Sequence, residues 1–135
     1  DGWAHKMRRI VYLSTAARLP PSEVDRILQS AGHNNAAMGI TGFLLYNGRN
    51  FLQLIEGDKA ALLSLLVTLR RDPRHSGITV MVDEPINERC CPDWQMHQIR
   101  LVDDVAMRRF ALGEELPVGL EAHPRTLVEN FAMLN

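Results

Sequence analysis

Two kinds of hydrophobic pattern follow one another along this chain. Short β-rich runs, which are typical of strands, span residues 10–13, 40–46, 51–56, 78–82 and 94–99. The pair Asn47-Gly48 separates the second run from the third and favours a tight hairpin turn. The runs therefore predict five strands, of which the second and third form a hairpin.

The other pattern is helical, with apolar residues three and four positions apart, and it follows the first and the third strand. The first helix is predicted to have Ser22 as its N-cap and to end at Gly32, with Asn34 and Asn35 in the connection after it. The second helix is predicted to stop before Pro73. The apolar stripes of the two helices are Val24, Ile27, Leu28 and Ala31, and Leu62, Leu65, Leu66 and Leu69.

The order of elements, β-α-β-β-α-β-β, predicts an α+β fold of the ferredoxin-like type with one added strand. Right-handed crossovers place both helices on one face of the sheet. Weaker helical patterns over residues 103–112 and 126–134 predict C-terminal helices. The other sheet face needs a cover. We expect these helices to cover it, or two protomers to pair across it. The apolar residues that would make either contact are Val105, Phe110, Leu127, Val128 and Phe131.

Length and charge narrow the class of protein. A chain of 135 residues suits one domain, and a net charge of −1 offers no basic field for nucleic acid or an anionic membrane. No apolar run reaches the ~20 residues of a membrane span, and the start has no signal-peptide core. We expect a soluble cytoplasmic protein with no nucleic-acid or membrane partner.

The chain is predicted to have three segments. Residues 1–6 are a tag remnant or N-terminal extension, residues 7–101 are the domain, and residues 102–135 are a C-terminal helical extension.

Several polar residues stand where an apolar core would exclude them. Gln53 shares a strand face with Phe51, because side chains alternate along a strand. If the first and third strands are neighbours, Tyr12 lies beside Gln53. With Asn34 and Asn35 near the end of the helix above, these residues predict a cleft for a flat ligand with donors and acceptors along its edge. The pattern alone leaves a structural alternative open, in which the glutamine is solvated, the tyrosine packs and the asparagines form a turn.

Motifs for catalysis and metal binding are absent from the sequence. The five histidines have no metal-ligand spacing, and there is no phosphate-binding loop, dinucleotide fingerprint or serine-nucleophile motif. Cys90 and Cys91 are adjacent, so they make no ordinary disulfide, and no spacing pairs them with a histidine for nucleophilic catalysis. We therefore expect neither an enzyme nor a metal site.

Five sequence blocks occur in a fixed order along most of the chain. They are Arg9-Ile10-Val11-Tyr12, Asn34-Asn35-x-x-x-Gly39-Ile40-Thr41-Gly42, Phe51-Leu52-Gln53-Leu54-Ile55-Glu56-Gly57, Arg71-Asp72-Pro73-Arg74-His75 and Trp94-Gln95-Met96. Together, from about residue 8 to residue 99, they resemble the BLUF family of blue-light sensors. The resemblance implies a short stand-alone photoreceptor that binds flavin non-covalently, with FAD expected and FMN or riboflavin as alternatives.

The resemblance also implies a role for each matching residue. Tyr12 matches the tyrosine that gives an electron and a proton to the excited flavin, and Gln53 matches the glutamine between that tyrosine and the ring. The amide of Gln53 is then expected to rearrange and to donate a hydrogen bond to the flavin C4=O, with a small red shift. Asn35 matches the asparagine at the pyrimidine edge, and Trp94 and Met96 match the residues that relay the signal. The expected flavin contacts are Tyr12, Ile27, Ser30, Asn34, Asn35, Ile40, Phe51, Gln53, Leu69, Asp72, Arg74, His75 and Met96.

The sequence departs from the family before strand five, where Cys90 and Cys91 stand in place of the usual arginine and phenylalanine. Because only residues 102–135 follow the domain, we expect output through the C-terminal helices, with a homo-oligomer and a separate effector protein.

A competing hypothesis is a ferredoxin-like binding or regulatory module without photochemistry. An acylphosphatase-like hydrolase is a third hypothesis, but residues 14–21 lack the glycine-rich anion cradle that it needs.

Overall fold

The computed structural model describes residues 7–16, 20–72 and 75–134, and its elements follow the predicted order. They are β1 (Met7–Ala16), α1 (Pro21–Ala37), β2 (Thr41–Tyr46), β3 (Asn50–Asp58), α2 (Lys59–Arg71), β4 (His75–Pro85), β5 (Gln95–Ile99), α3 (Val105–Glu115) and α4 (Ala122–Ala132). The α+β, ferredoxin-like prediction is confirmed. Residues 1–6, predicted as a tag remnant or extension, lie outside the described residues.

The five strands form one sheet in the order β4-β1-β3-β2-β5. The first four follow the ferredoxin-like order with antiparallel neighbours, and β5 joins the edge of the sheet parallel to β2. In the antiparallel pairing of β1 with β3, Tyr12 lies directly opposite Gln53. The prediction that the first and third strands are neighbours is therefore confirmed.

Each face of the sheet carries its own apolar core. Helices α1 and α2 cover one face, where Leu62 and Leu66 are buried among the strand residues. The C-terminal helices cover the other face, on which Val128 and Phe131 are buried and Leu127 is partly buried. Val105 and Phe110 remain exposed, Phe110 by 65%, so these two residues do not cover the face within one chain, and their pairing between protomers stays a prediction.

The ends of α1 differ from the prediction. Ser22 is not the N-cap, because Pro20 takes that position and a proline begins the helix; this suits proline, which has no N–H to leave unpaired. Gly32 does not end the helix, which continues to Ala37. A Cβ on Gly32 would lie 3.4 Å from the carbonyl oxygen of Gln95, so this glycine permits a close approach of α1 to β5. Because α1 continues to Ala37, Asn34 and Asn35 both lie within the helix, rather than in the connection after it.

Gly42 marks the point where β2 meets both of its neighbours. Its N–H donates to the carbonyl oxygen of Trp94 at 2.8 Å, immediately before β5 begins. Its φ is +153°, and a Cβ added there would lie 1.9 Å from the carbonyl oxygen of Leu54 in β3. Only glycine allows this approach of the two strands.

Arg108 joins the two C-terminal helices from a buried position. Its guanidinium donates to three carbonyl oxygens: those of Val102 at 2.7 Å, Asp103 at 3.2 Å and Ala132 at 3.0 Å. Val102 and Asp103 precede α3, and Ala132 is the last residue of α4. Arg108 therefore holds the beginning of α3 against the end of α4.

Replacing Arg108 by alanine is expected to lower the free energy of unfolding by about 2–4 kcal/mol, because three carbonyl oxygens lose their donor, among them that of the buried Ala132. The exposed neighbour Arg109 offers a matched control, since its replacement by alanine is expected to change this free energy by less than about 0.5 kcal/mol. Urea unfolding of the two variants measures the difference. Equal stability of the two would show that the Arg108 hydrogen bonds do not hold the helices.

Candidate functional site

A cleft of about 110 Å³ opens between α1 and α2, above the middle of the sheet. Nine residues predicted as flavin contacts line it: Tyr12, Ile27, Ser30, Asn34, Asn35, Phe51, Gln53, Leu69 and Asp72. The sequence did not single out five further lining residues, Leu28, Ala31, Leu44, Leu65 and Thr68. Three of these, Leu28, Ala31 and Leu65, belong to the predicted apolar stripes of the two helices, so helical periodicity could have identified them as lining residues.

Hydrogen bonds connect Tyr12 and Gln53, at the floor of the cleft, with Met96 in the core beneath it. The buried hydroxyl of Tyr12 donates to Oε1 of Gln53, and Nε2 of Gln53 donates to the sulfur of Met96 at 3.3 Å. Burial raises the pKa of the Tyr12 phenol, which keeps its proton on the oxygen. Gln53 thus joins β1 to β5 through one amide, with its acceptor end on the tyrosine and its donor end on the methionine.

Met96 reaches Gln53 through an irregularity in β5. In the parallel pairing, Gly42 lies opposite Gln95 and Phe43 opposite His97, so Met96 is an extra residue on its strand. Its φ of +68° makes it the one non-glycine residue with positive φ in the described part of the chain. A bulge with such a φ holds strain of about 1–3 kcal/mol, which the surrounding packing must offset. The position of Met96 against Gln53 therefore requires a strained backbone, which the contacts around it must hold.

Asn35 brings an unpaired amide to the wall of the same cleft. Its side chain is 1% exposed, and in the described part of the chain neither its Nδ2 nor its Oδ1 has a hydrogen-bond partner. An unpaired buried amide of this kind costs about 1–3 kcal/mol. Such an amide suits a bound group that presents both a carbonyl oxygen and an N–H at its edge, as the pyrimidine end of a flavin does.

The remaining predicted residues lie elsewhere. Ile40 and Met96 are buried in the core beneath the helices, outside the surface of the cleft. Trp94 packs on the opposite sheet face, edge-on to Phe43 at 6.0 Å, because the extra residue in β5 reverses the alternation of side chains. Arg74 lies outside the described residues, as does the side chain of His75.

Neither cysteine has the surroundings of a nucleophile. The thiols of Cys90 and Cys91 are in hydrogen-bond contact over 3.6 Å, and this contact together with burial keeps the proton on Cys91 and raises the pKa of its thiol. No charged histidine stabilises a thiolate there in the described part of the chain. The arrangement gives no support to catalysis through a cysteine.

A family model described as sensors of blue light using FAD matches residues 7–97, more than half of the chain. The chain belongs to the BLUF family. The family's sensors bind flavin non-covalently, and the apolar cleft with its unpaired amide and its tyrosine–glutamine pair fits that cofactor. This chain therefore contains a blue-light photoreceptor domain.

Individual relatives agree with this assignment. The photoactivated adenylate cyclase subunit beta of Euglena longa is 39% identical over 90 residues, which are 64% of this chain and 10% of that protein. The dark-state structure of BlrB, a BLUF protein, covers 96% of each chain with a TM-score of 0.72 and 28% identity. The structure of Klebsiella pneumoniae BlrP1 with calcium and cyclic diGMP covers 93% of this chain and 34% of that one, with a TM-score of 0.78 and 26% identity.

The chain spans about a tenth of the length of the curated cyclase subunits that it matches, and the match is to their BLUF sensor. The boundaries predicted at residues 101 and 102 stay predictions, because the family match ends at residue 97 while α3 and α4 share a core with the sheet. In the described part of the chain, no helix has the length and apolar character to cross a membrane.

Proposed function

We propose that this BLUF domain is a non-enzymatic light sensor that holds FAD in the cleft and reports its state through β5. The observation that carries the proposal is the hydrogen-bonded series from Tyr12 through Gln53 to Met96, beside the unpaired Asn35. When bound, the flavin supplies the absorption of blue light and an acceptor for an electron. The steps below concern only what the residues of this chain do.

Binding rests on one polar anchor and on apolar walls. We assign Asn35 to the edge of the ring, because its unpaired amide offers one acceptor and two donors. Ile27, Phe51 and Leu69 supply apolar contact along the cleft, and Ser30, Asn34 and Asp72 line its polar part. FAD rather than a shorter flavin is proposed from the description of the matched family.

Tyr12 and Gln53 have the arrangement that a light-driven rearrangement requires. When Tyr12 gives up an electron, its hydroxyl becomes a much stronger acid, and the proton has Oε1 of Gln53 as its hydrogen-bonded acceptor. The amide of Gln53 then exchanges its donor and acceptor ends by rotation or tautomerisation at almost constant shape. If the amide rotates, its oxygen faces the sulfur of Met96, which has no proton to donate, so the hydrogen bond to Met96 is lost.

A small free energy separates the two states. A net hydrogen bond between neutral groups contributes about 0.5–1.5 kcal/mol, and about 1.4 kcal/mol changes a population ratio tenfold. The strained backbone at Met96 is the element that this hydrogen bond is proposed to hold. From β5 the path to the C-terminal helices is short, since His97 Nε2 lies 2.8 Å from Glu115 Oε1 of α3. We propose a separate effector protein and a homo-oligomer as the means of output.

The proposed function is tested by absorption spectra of the flavin-loaded chain in the dark and after blue light, with recovery followed in the dark. The expected result is a small, reversible red shift of the flavin bands. Bound flavin without a shift would refute the sensor mechanism. Failure to bind flavin would refute the assignment of the cleft.

Replacing Asn35 by leucine is expected to separate flavin binding from stability. The variant loses the proposed edge contact, so flavin affinity should fall about tenfold to a hundredfold. The flavin-free protein should not lose stability, because leucine removes a buried amide that has no partner. Flavin titration and thermal unfolding measure the two effects. Unchanged flavin affinity would contradict the role of Asn35. Ala36→Ser, at an exposed position in the same helix, is the control and should leave flavin affinity unchanged.

A further inference from the structure

A second polar cluster lies on the sheet face opposite the cleft, near the end of β3. Arg9 and Glu56 form a buried ion pair there, with Arg9 Nε 2.9 Å from Glu56 Oε2. The other carboxylate oxygen, Oε1, accepts the backbone N–H of Cys90 at 2.9 Å and lies 3.9 Å from Cys91 Sγ. Because Arg9 occupies Oε2, the oxygen that remains faces the loop that carries both cysteines.

The two sulfur atoms and this oxygen are spaced as ligands of one ion. Cys90 Sγ and Cys91 Sγ are 3.6 Å apart, and the three ligand atoms all lie within 4.8 Å of one another. Two thiolates that bind one zinc ion at about 2.3 Å each, at a tetrahedral angle, lie about 3.8 Å apart. The spacing of the three ligand atoms is therefore close to that of ligands around one zinc ion.

Charge and access fit a divalent cation. Two thiolates and the Glu56 carboxylate would carry three negative charges against the single positive charge of Arg9, so these groups together attract a divalent cation. Glu84, 3.0 Å from Arg9, adds a negative charge beyond the guanidinium. A cavity of about 520 Å³ adjoins Cys90 and opens to solvent, which gives an entry path and room for a water ligand.

We propose that Glu56, Cys90 and Cys91 form a binding site for a zinc ion, with water from the adjoining cavity as the fourth ligand. Sulfur ligands select zinc over magnesium and calcium, and a single carboxylate oxygen is compatible with zinc. Binding displaces the thiol protons to solvent as the sulfur atoms become ligands. No metal-ligand spacing occurs along the sequence, because the third ligand comes from β3 and only the fold brings it to the cysteines.

The test is a zinc titration of the reduced, flavin-loaded chain against a chelating dye. We expect one zinc ion per chain, and we expect Cys90→Ser and Cys91→Ser each to weaken binding at least about tenfold, since each removes a sulfur ligand. Glu88→Gln is the matched control, because Glu88 lines the same cavity outside the ligand cluster. Zinc affinity of this control should stay close to that of the parent chain. Cadmium difference spectra should show a sulfur-to-metal band that is weaker in each cysteine variant than in the parent chain.

Two results would overturn the proposal. The first is that the chain binds less than one zinc ion. The second is that both cysteine variants bind zinc as tightly as the parent chain, which would assign the bound zinc to surface histidines. If a cysteine variant fails to fold, X-ray absorption of the zinc-loaded parent chain decides the question. Two sulfur ligands support the site, and fewer than two refute it.

Discussion

Changing Tyr12 to phenylalanine, or Gln53 to leucine, is expected to abolish the light-induced red shift while flavin remains bound. Phenylalanine removes the hydroxyl that donates to Gln53 Oε1, and leucine removes the amide that joins Tyr12 to Met96. Both replacements keep a similar volume in a buried position, so the fold should persist. Dark and light absorption spectra of each variant, with the flavin content measured beforehand, give the result.

Tyr46 provides the matched control for this experiment. It is the other tyrosine of the chain, and its ring stacks on Phe51 with the ring centres 4.6 Å apart. Phenylalanine keeps that stacking, so Tyr46→Phe should retain the full red shift and its reversal in the dark. A normal shift in Tyr12→Phe, or its loss in Tyr46→Phe, would show that a different residue serves as the donor.

Changing Gly42 to alanine is expected to lower the free energy of unfolding by about 3–5 kcal/mol, which is a large part of the roughly 5–15 kcal/mol that keeps a domain folded. The added Cβ would lie 1.9 Å from the carbonyl oxygen of Leu54, a backbone atom that cannot turn away as a side chain does. Relief of this clash would require β2 and β3 to separate. That separation would also break the hydrogen bond from the N–H of Gly42 to the carbonyl oxygen of Trp94. Chemical denaturation followed by circular dichroism measures the loss.

Gly113 in α3 is the control for Gly42. No atom of the described residues lies within 4 Å of a Cβ added there, and the residue is helical with a negative φ. Alanine at this position is expected to stabilise the chain by about 0.5–1 kcal/mol through its helix propensity. If Gly42→Ala were as stable as Gly113→Ala, the close approach of β2 and β3 would not be a constraint on the fold.

The elements and the central pair of the site were predictable because each depends on local pattern. Alternation placed Gln53 on one strand face, the ferredoxin-like order made β1 and β3 neighbours, and the observed register puts Tyr12 opposite Gln53. The apolar stripes of α1 and α2 predicted which helix faces are buried, as Leu62 and Leu66 show. The resemblance to the BLUF family identified the ligand as a flavin, because the pattern of apolar and polar residues alone does not specify a ligand.

Other features depend on three-dimensional contacts that leave no periodic signal. Gly32 resembles a helix end in the sequence, yet it permits α1 to approach β5. Trp94 and Met96 are two residues apart, so alternation predicts one face, but the extra residue in β5 puts them on opposite faces. Arg108 looks like one more solvated charge on a helix, although carbonyl oxygens from two segments surround it.

The position of β5 at the edge of the sheet has a consequence for how the sensor resets. Among the described strands, β5 has one hydrogen-bonded neighbour, β2, and it is five residues long. Detaching a short edge strand requires only a sub-global opening, with a free energy well below that of unfolding the chain. If the proposed loss of the Gln53–Met96 hydrogen bond frees β5 from the sheet, the return to the dark state requires only that β5 pairs again with β2. The other four strands and their two cores would stay folded through each cycle.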